Sequence, residues 1–323
     1  MRSTDLLVDV VIPTRNRRDL VLGAISNALT QQGVATRVYV VVDGTEDDTV
    51  EAIEKLENPR VEMIVHPTSQ GPAASRNDGA SKGNAPWVAL LDDDDRWSPD
   101  KLRRQLDELE REPGALWSAT GCVKTDQDMK PVSTWSMEGG SGDMVDRLLV
   151  ACVVPAGGSS VLVQRDLFAK VGGFDTSLSA AEDWDLWIKL ARHSPVSYVD
   201  EPLVAYRRWD GNASNDLDKM GAHQDEIQER HGGAVDEGAA RQQAIGWQQH
   251  LAGGAIKRGQ RAKAAWLYSS VAWKTKKPGQ LAYAAASLVS PRSVVRRLEQ
   301  VDERGADPAW VTKATSWIQR VPA

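Results

Sequence analysis

WVALLDDDDRWSPD, residues 87–100, is the stretch on which the fold turns. Its first five residues are a short apolar run of the length of a buried strand, and it ends abruptly in four carboxylates, Asp92, Asp93, Asp94 and Asp95. Like charges a few ångströms apart repel and raise one another's pKa, so such a run calls for a compensating cation. A hard divalent ion, Mg²⁺ or Mn²⁺, answers that need: one or two carboxylates bind it, and water and phosphate oxygens complete its shell. The milder reading gives Asp95 and Asp93 to capping the next helix. There Ser98 stands as N-cap, Pro99 as first helical residue and Asp100 in the first turn of a helix running to about residue 110.

Outward from this stretch toward the N-terminus, β-branched runs at 8–12, 38–42 and 61–65 alternate with helical patterns at 19–30, 47–56 and from about 76. That alternation predicts an α/β fold with a mostly parallel central sheet and helices on both faces. The aspartates then sit at the carboxyl end of the fourth strand, where open α/β sheets bind ligands.

Downstream, residues 114–163 read as less regular strands with one helix at 144–150. Gly157 and Gly158 precede a strand at 160–163 and a helix at 165–171, which Gly172 and Gly173 close. A second acidic cluster, Glu182, Asp183 and Asp185, opens a helical pattern over 184–191 whose apolar face is Leu186, Trp187, Leu190 and Ala191. Acids in a first turn are favoured by the helix dipole, so this cluster by itself leaves a structural role open. The pairing of two clusters gives it weight: one site can hold a cation while the other takes a proton. From about Asp216 the chain turns to Ala-, Gln- and Arg-rich helices, with a boundary near 231–238. Trp247, Trp266, Tyr268 and Trp273 read as packing residues of a small helical bundle.

With 323 residues, 41% of them hydrophobic, the chain suits a catalytic body over 1–235 and a helical appendage over 239–323. The net charge of -6 conceals an asymmetry: residues 1–240 carry 25 Lys and Arg against 41 Asp and Glu, and residues 241–323 carry 14 against 4. An acidic body argues against nucleic-acid binding, and a basic tail suits anionic lipid headgroups or an acidic partner. Two distant cysteines, Cys122 and Cys152, fit neither a disulfide framework nor a zinc site. With no leader-like start and no apolar tract long enough to span a bilayer, the expectation is a cytoplasmic protein whose membrane contact is peripheral, through the tail.

Seven segments together resemble glycosyltransferase family 2: VIPTRNR (11–17), VVVDGTEDDT (40–49), GPAASRNDGA (71–80), VALLDDDDRWSPDKL (88–102), GGSSVLVQRDLFAKVGGFD (157–175), EDWDLWIKLA (182–191) and EPLVAYRRWDGNAS (201–214). The resemblance covers roughly residues 6–230 and implies the GT-A fold and an inverting, metal-dependent transfer from a nucleoside-diphosphate sugar to a hydroxyl. It implies that Pro13, Thr14 and Arg15 form a loop over the nucleotide, that Asp43 accepts the base N–H, and that Gly71 and Arg76 wall the nucleotide side. Asp92 and Asp94 match the family's D-x-D, with Asp92 toward the ribose or sugar and Asp94 on a bridging Mn²⁺ or Mg²⁺; Asp93 joins the nucleotide-sugar site. Asp183 matches the general base, and Glu182 and Trp184 the acceptor or sugar side.

The match departs from the family at one point, where many relatives carry a histidine in a Y-R-x-H pattern. Here the segment reads Tyr206, Arg207, Arg208, Trp209. An indole ligates no metal, so either Asp94 and the substrate hold the ion or Arg207 or Arg208 takes phosphate charge. UDP is the first choice of carrier, because a carboxylate at Asp43 suits a uracil N–H; thymine and guanine also offer one. A glycan, a lipid-linked molecule of the cell envelope or a small molecule would serve as acceptor. The alternative readings are a nucleotidyltransferase-like enzyme or a non-catalytic nucleotide-sugar-binding protein on the same fold. Dinucleotide and P-loop glycine motifs are missing from the first strand's turn.

Overall fold

The computed structural model describes residues 7–209, 226–227, 229–232 and 237–318. The expected change of pattern near Asp216 and the end of the last motif, 210–214, lie outside them. The chain forms two compact units, one of residues 1–148, 152–209 and 307–323 and one of residues 149–151 and 210–306.

In the first unit, strands β1 (Leu7–Thr14), β2 (Ala35–Asp43), β3 (Val61–His66) and β4 (Trp87–Leu90) are parallel, joined by helices α1 (Arg18–Leu29), α2 (Thr49–Glu54) and α3 (Pro72–Lys82). Successive side chains of a strand face opposite sides, and β1 uses both. Val8, Val10 and Ile12 pack with Val21, Ala24, Ile25 and Ala28 of α1. Val11 meets α3, at a helical glycine, Gly79, where a Cβ would stand 2.4 Å from Val11 Cγ1. Helix α3 starts before the expected Arg76, because Gly71, at φ 91°, turns the chain into Pro72 at the helix start.

Beyond β4 the sheet becomes mixed. Its further elements are β5 (Arg96–Trp97), α4 (Lys101–Arg111), β6 (Trp117–Thr125), β7 (Pro131–Trp135), α5 (Val145–Val150), a 3₁₀ turn at Gly157–Ser160, β8 (Leu162–Gln164), α6 (Arg165–Lys170), α7 (Glu182–Ala191) and β9 (Val196–Arg207). The strand order is β3-β2-β1-β4-β8-β6-β9-β5, with β7 beside β6. Strand β8 is antiparallel to β4 and β6, and β9 is parallel to β6 but antiparallel to β5. The expectation of a mostly parallel sheet thus describes β1 to β4, while the later half is mixed, with β6 and β9 as its parallel pair.

Helix α4 begins at Lys101 rather than at Pro99. Arg96 and Trp97 are extended and paired with β9, and the Asn27 side chain holds them there. The Trp97 N–H donates to Asn27 Oδ1 at 2.6 Å, and Asn27 Nδ2 donates to the Trp97 carbonyl at 3.0 Å.

The second unit contains helices α8 (Glu237–Lys257), α9 (Arg261–Thr275), α10 (Gly279–Val289) and α11 (Pro291–Arg304). Its core is Ala252, Ala255, Ile256, Ala264, Leu267, Tyr268, Ala284 and Val294. The packing role expected of the aromatics holds for Tyr268, while Trp247 is half-buried and stacks on His250. It fails for Trp266 and Trp273, which are 66% and 88% exposed. Helix α9 turns Ala264, Leu267, Tyr268, Val271 and Ala272 inward, and the two tryptophans, seven residues apart, share the outward stripe.

The last helix, α12 (Pro308–Ile318), belongs to the first unit. Its Ala314, Trp317 and Ile318 pack with Val123 and Ala205, and the Trp310 ring fills the space over Gly121, where a Cβ would stand 2.3 Å away. The helical appendage therefore does not run unbroken from 239 to 323. No helix among the described residues is long and apolar enough to cross a membrane.

Candidate active site

Three parallel strands deliver the site. Thr14 ends β1, Asp43 ends β2, and Asp92 to Asp95 follow β4, one strand to the other side of β1. The four aspartates do not cap α4; each is held separately. Thr14 Oγ1 donates to Asp93 Oδ2 at 2.7 Å, and Arg17 Nη1 donates to Asp93 Oδ1 at 2.9 Å and reaches Asp94 Oδ2 at 3.5 Å. Trp209 Nε1 donates to Asp94 Oδ2 at 2.9 Å, and the Arg17 guanidinium lies over the Trp209 ring, 5.1 Å from its centroid. The Arg207 N–H donates to Asp95 Oδ1 at 3.0 Å, and the Asp92 N–H donates to Ser159 Oγ at 3.0 Å.

The second acidic cluster meets the first through one side chain. Arg76, buried on α3, donates from Nη2 to Asp92 Oδ1 at 2.7 Å and from Nη1 to Glu182 Oε1 at 2.9 Å, with its guanidinium over the Phe174 ring. Burial works against this charge, but Asp92 and Glu182 more than offset it and its pKa is raised. Beside Glu182, Asp183 opens α7, accepts the Trp184 N–H at 2.7 Å, and lies over the 3₁₀ turn, where a Cβ on Gly157 would stand 3.1 Å from Asp183 Oδ2. Gly157 has φ 49°, so the turn combines a left-handed backbone with space for that carboxylate. Trp184 is buried and its indole donates to the Leu148 carbonyl at 2.6 Å.

Burial first, and then the charge of Glu182, push the Asp183 carboxyl up to about 6. Burial likewise raises Asp93 to about 6, and it raises Asp94 and Asp95 with help from neighbouring aspartates. Four carboxylates thus share two bridging arginines, Asp93 and Asp94 on Arg17 and Asp92 and Glu182 on Arg76, while Asp95 and Asp183 accept backbone N–H groups.

A surplus of buried negative oxygen is the donor chemistry of Mg²⁺ or Mn²⁺. Among the described residues no group of three or more His, Cys, Asp or Glu is placed to hold a metal ion by itself. An ion here would take one or two of these carboxylates, with phosphate and water oxygens completing its shell.

At the end of β2, Asp43 is fully engaged. Its Oδ1 lies 2.8 Å from His66 Nδ1 and accepts from the Gln70 N–H at 2.7 Å, and its Oδ2 accepts from Ser69 Oγ at 2.7 Å and the Gly71 N–H at 2.8 Å. Burial alone would raise this carboxyl, but these bonds outweigh it and hold it below the usual range. Pro13 is half-buried in β1, and Arg15 is exposed just past its end.

Sequence reasoning overlooked Arg17 as a site residue, although it lies inside the first motif, three residues past Thr14. It also offered Arg207 or Arg208 to take phosphate charge where relatives carry a histidine. The Arg207 side chain points Nε at Met129 Sδ, 3.2 Å away, and Arg17 with Trp209 stands against Asp94.

Residues 9–162 match the sequence model described as glycosyl transferase family 2. An uncharacterised glycosyltransferase of Haemophilus influenzae is 26% identical over 299 residues, 90% of this chain and 98% of the relative. The putative teichuronic acid biosynthesis glycosyltransferase TuaG of Bacillus subtilis is 25% identical over 62% of this chain and 79% of its own length. Three longer glycosyltransferases of Rickettsia species are matched over 29% to 33% of their length. Among solved structures, S. aureus TarS 1-349 in complex with UDP-GlcNAc superposes with a TM-score of 0.56 at 15% identity, over 93% of each chain. The mannosyltransferase PcManGT from Pyrobaculum calidifontis, in complex with GDP-Man and Mn²⁺, does so with a TM-score of 0.60 at 16% identity, over 96% of this chain and 86% of that one. At these identities the superpositions establish the fold, an α/β GT-A fold.

Proposed function

From the match of residues 9–162 to glycosyl transferase family 2 and the similarity to a glycosyltransferase over 90% of the chain, we propose that the chain is a member of that family and transfers a sugar from a nucleoside diphosphate to an acceptor hydroxyl with inversion of configuration. The observation that carries this reading is the Arg76 bridge, which sets a strand-end acid cluster and a helix-start acid cluster on either side of one guanidinium. Asp183 takes the acceptor proton as the acceptor oxygen bonds to the anomeric carbon. The bond from that carbon to the diphosphate oxygen breaks, and its electron pair leaves with the diphosphate. A carboxyl at about 6 is ionised at neutral pH yet more basic than an ordinary aspartate, which suits a general base.

Asp92 and Asp94 would hold Mg²⁺ or Mn²⁺, which when bound neutralises charge on the leaving diphosphate. Thr14 and Arg17 hold Asp93 in place beside them, and Arg76 fixes Asp92 and Glu182. Asp43 serves the nucleotide end by shaping the 66–71 turn, with Pro13, Arg15 and Gly71 around it; Ser69, Gln70 and Gly71 already donate to it and His66 Nδ1 lies 2.8 Å away. UDP remains the first choice of carrier, supported by the UDP-GlcNAc bound to TarS, and GDP is the competing one, from the GDP-Man bound to PcManGT. A cell-envelope glycan or lipid-linked acceptor is supported by the likeness to TuaG.

Asp183→Asn tests the reading: donor binding stays near wild type while turnover falls on the order of a hundredfold or more. Loss of donor affinity with turnover intact would move Asp183 to the donor side. Asp94→Ala is expected to remove the Mn²⁺ dependence of nucleotide binding measured by calorimetry, and an unchanged metal dependence would take the ion away from Asp94.

A further inference from the structure

From Gly238 to Leu298 the chain has no aspartate or glutamate and eleven lysines and arginines. This stretch makes up most of the second unit, whose acids lie outside it, at 210–237 and 299–303. Lys257, Arg261, Arg292 and Arg296 line a cavity of about 300 Å³, together with apolar atoms of Ile256, Pro291 and Val295. All four basic side chains are exposed. The outward stripe of α9 adds two tryptophans, Trp266 and Trp273, accompanied by the exposed Lys263 and Lys274. On α10 the exposed large apolar residues are Leu281, Leu288 and Val289.

Exposed indoles beside lysines suit one environment above others. Tryptophan has an apolar body and a single N–H donor, and it concentrates where hydrocarbon meets water and headgroups. Lysine and arginine near an anionic leaflet add attraction with each charge. A nucleic-acid surface would account for the basic residues and for stacking on the indoles, but it leaves Leu281, Leu288 and Val289 in water. A bilayer surface accommodates all three classes, and no described helix is long and apolar enough to enter as a span.

We propose that the second unit is a peripheral docking module for anionic lipid bilayers: the cavity lined by Lys257, Arg261, Arg292 and Arg296 takes a phosphate-bearing headgroup, and Trp266 and Trp273 settle into the headgroup region. The module acts on location and leaves the transfer chemistry to the first unit. Its presence or absence is therefore independent of the proposed reaction.

Flotation of the full chain with vesicles of phosphatidylcholine alone, and of phosphatidylcholine with phosphatidylglycerol, tests it. The expected result is binding to the anionic vesicles only, weakened by 1 M salt, where the screening length shrinks to about 3 Å. Arg292→Ser with Arg296→Ser lowers partitioning on the order of tenfold, and Trp266→Ser with Trp273→Ser lowers it as well. These side chains are exposed, so circular dichroism of both variants should match wild type. Equal binding to neutral vesicles, no binding to anionic ones, or undiminished binding by both double variants would overturn the proposal. So would binding to a single-stranded oligonucleotide without binding to vesicles. Soluble inorganic phosphate or glycerol phosphate displacing the protein at low millimolar concentration would show a free-phosphate site and count against a membrane one.

Discussion

Asp183 illustrates how a single residue acquires a role from its surroundings. In sequence it is one of three acids in a first helical turn, where the dipole alone would account for it. In the fold it lies beside Glu182 and over Gly157, and its carboxyl rises to about 6. A base must be ionised to accept a proton, so turnover should fall as pH drops through about 6, roughly tenfold per unit below it. An ordinary aspartate would postpone that fall to about pH 4. The pH profile of kcat for wild type and for the residual activity of Asp183→Asn decides the matter: the wild-type limb near 6 should vanish in the variant. A limb that persists near 6 in Asp183→Asn would belong to another group. The role proposed for this residue comes from the seven-motif resemblance, since the local pattern alone left a structural role open. Arg17 was not legible even so, because an arginine in a loop signals nothing until Asp93 and Asp94 are placed beside it.

At the scale of elements, the strands and helices up to β4 were legible because each is short, strongly periodic and bounded by its own punctuation. Strand β5 was not, since Arg96 and Trp97 carry no period and are held extended by Asn27, seventy residues earlier, and by β9. Tertiary pairing won there over the Ser98–Pro99 start signal. The contact of α3 with β1 was equally hidden, although Gly79 is plain in the sequence as a glycine inside a helix. The contact explains it: a methyl at Gly79 would come within 2.4 Å of Val11 Cγ1. Helix propensity alone would favour Gly79→Ala by roughly 1 kcal/mol. Overpacking a close contact costs about 1–3 kcal/mol, so the balance should be destabilising. Because α3 also presents Arg76, the variant is expected to lose stability in urea and to weaken donor binding together. A gain in the urea midpoint would mean that α3 shifts outward without penalty.

At the scale of the whole molecule, the chain leaves the first unit for the second and comes back. Charge suggested a single basic appendage after 239, because charge reports solvent-facing residues and says little about which core a helix joins. The apolar residues of α12 answer that question. Trp317 is 6% exposed and packs with Val123 of β6 and Ala205 of β9, and Trp310 sits over Gly121. Strand β9 ends at Arg207, whose N–H supports Asp95, so α12 braces a strand that supports the acid cluster. Truncating a buried tryptophan to alanine costs about 3–5 kcal/mol. Trp317→Ala should therefore raise native-state amide exchange in β6 and β9, where protection reports local opening, and leave α8, α9 and α10 at wild-type rates. Exchange that rises in α8 to α10 while β6 and β9 stay protected would instead place α12 in the stability of the second unit, and the C-terminal helix would then be part of the appendage that the charge pattern outlined.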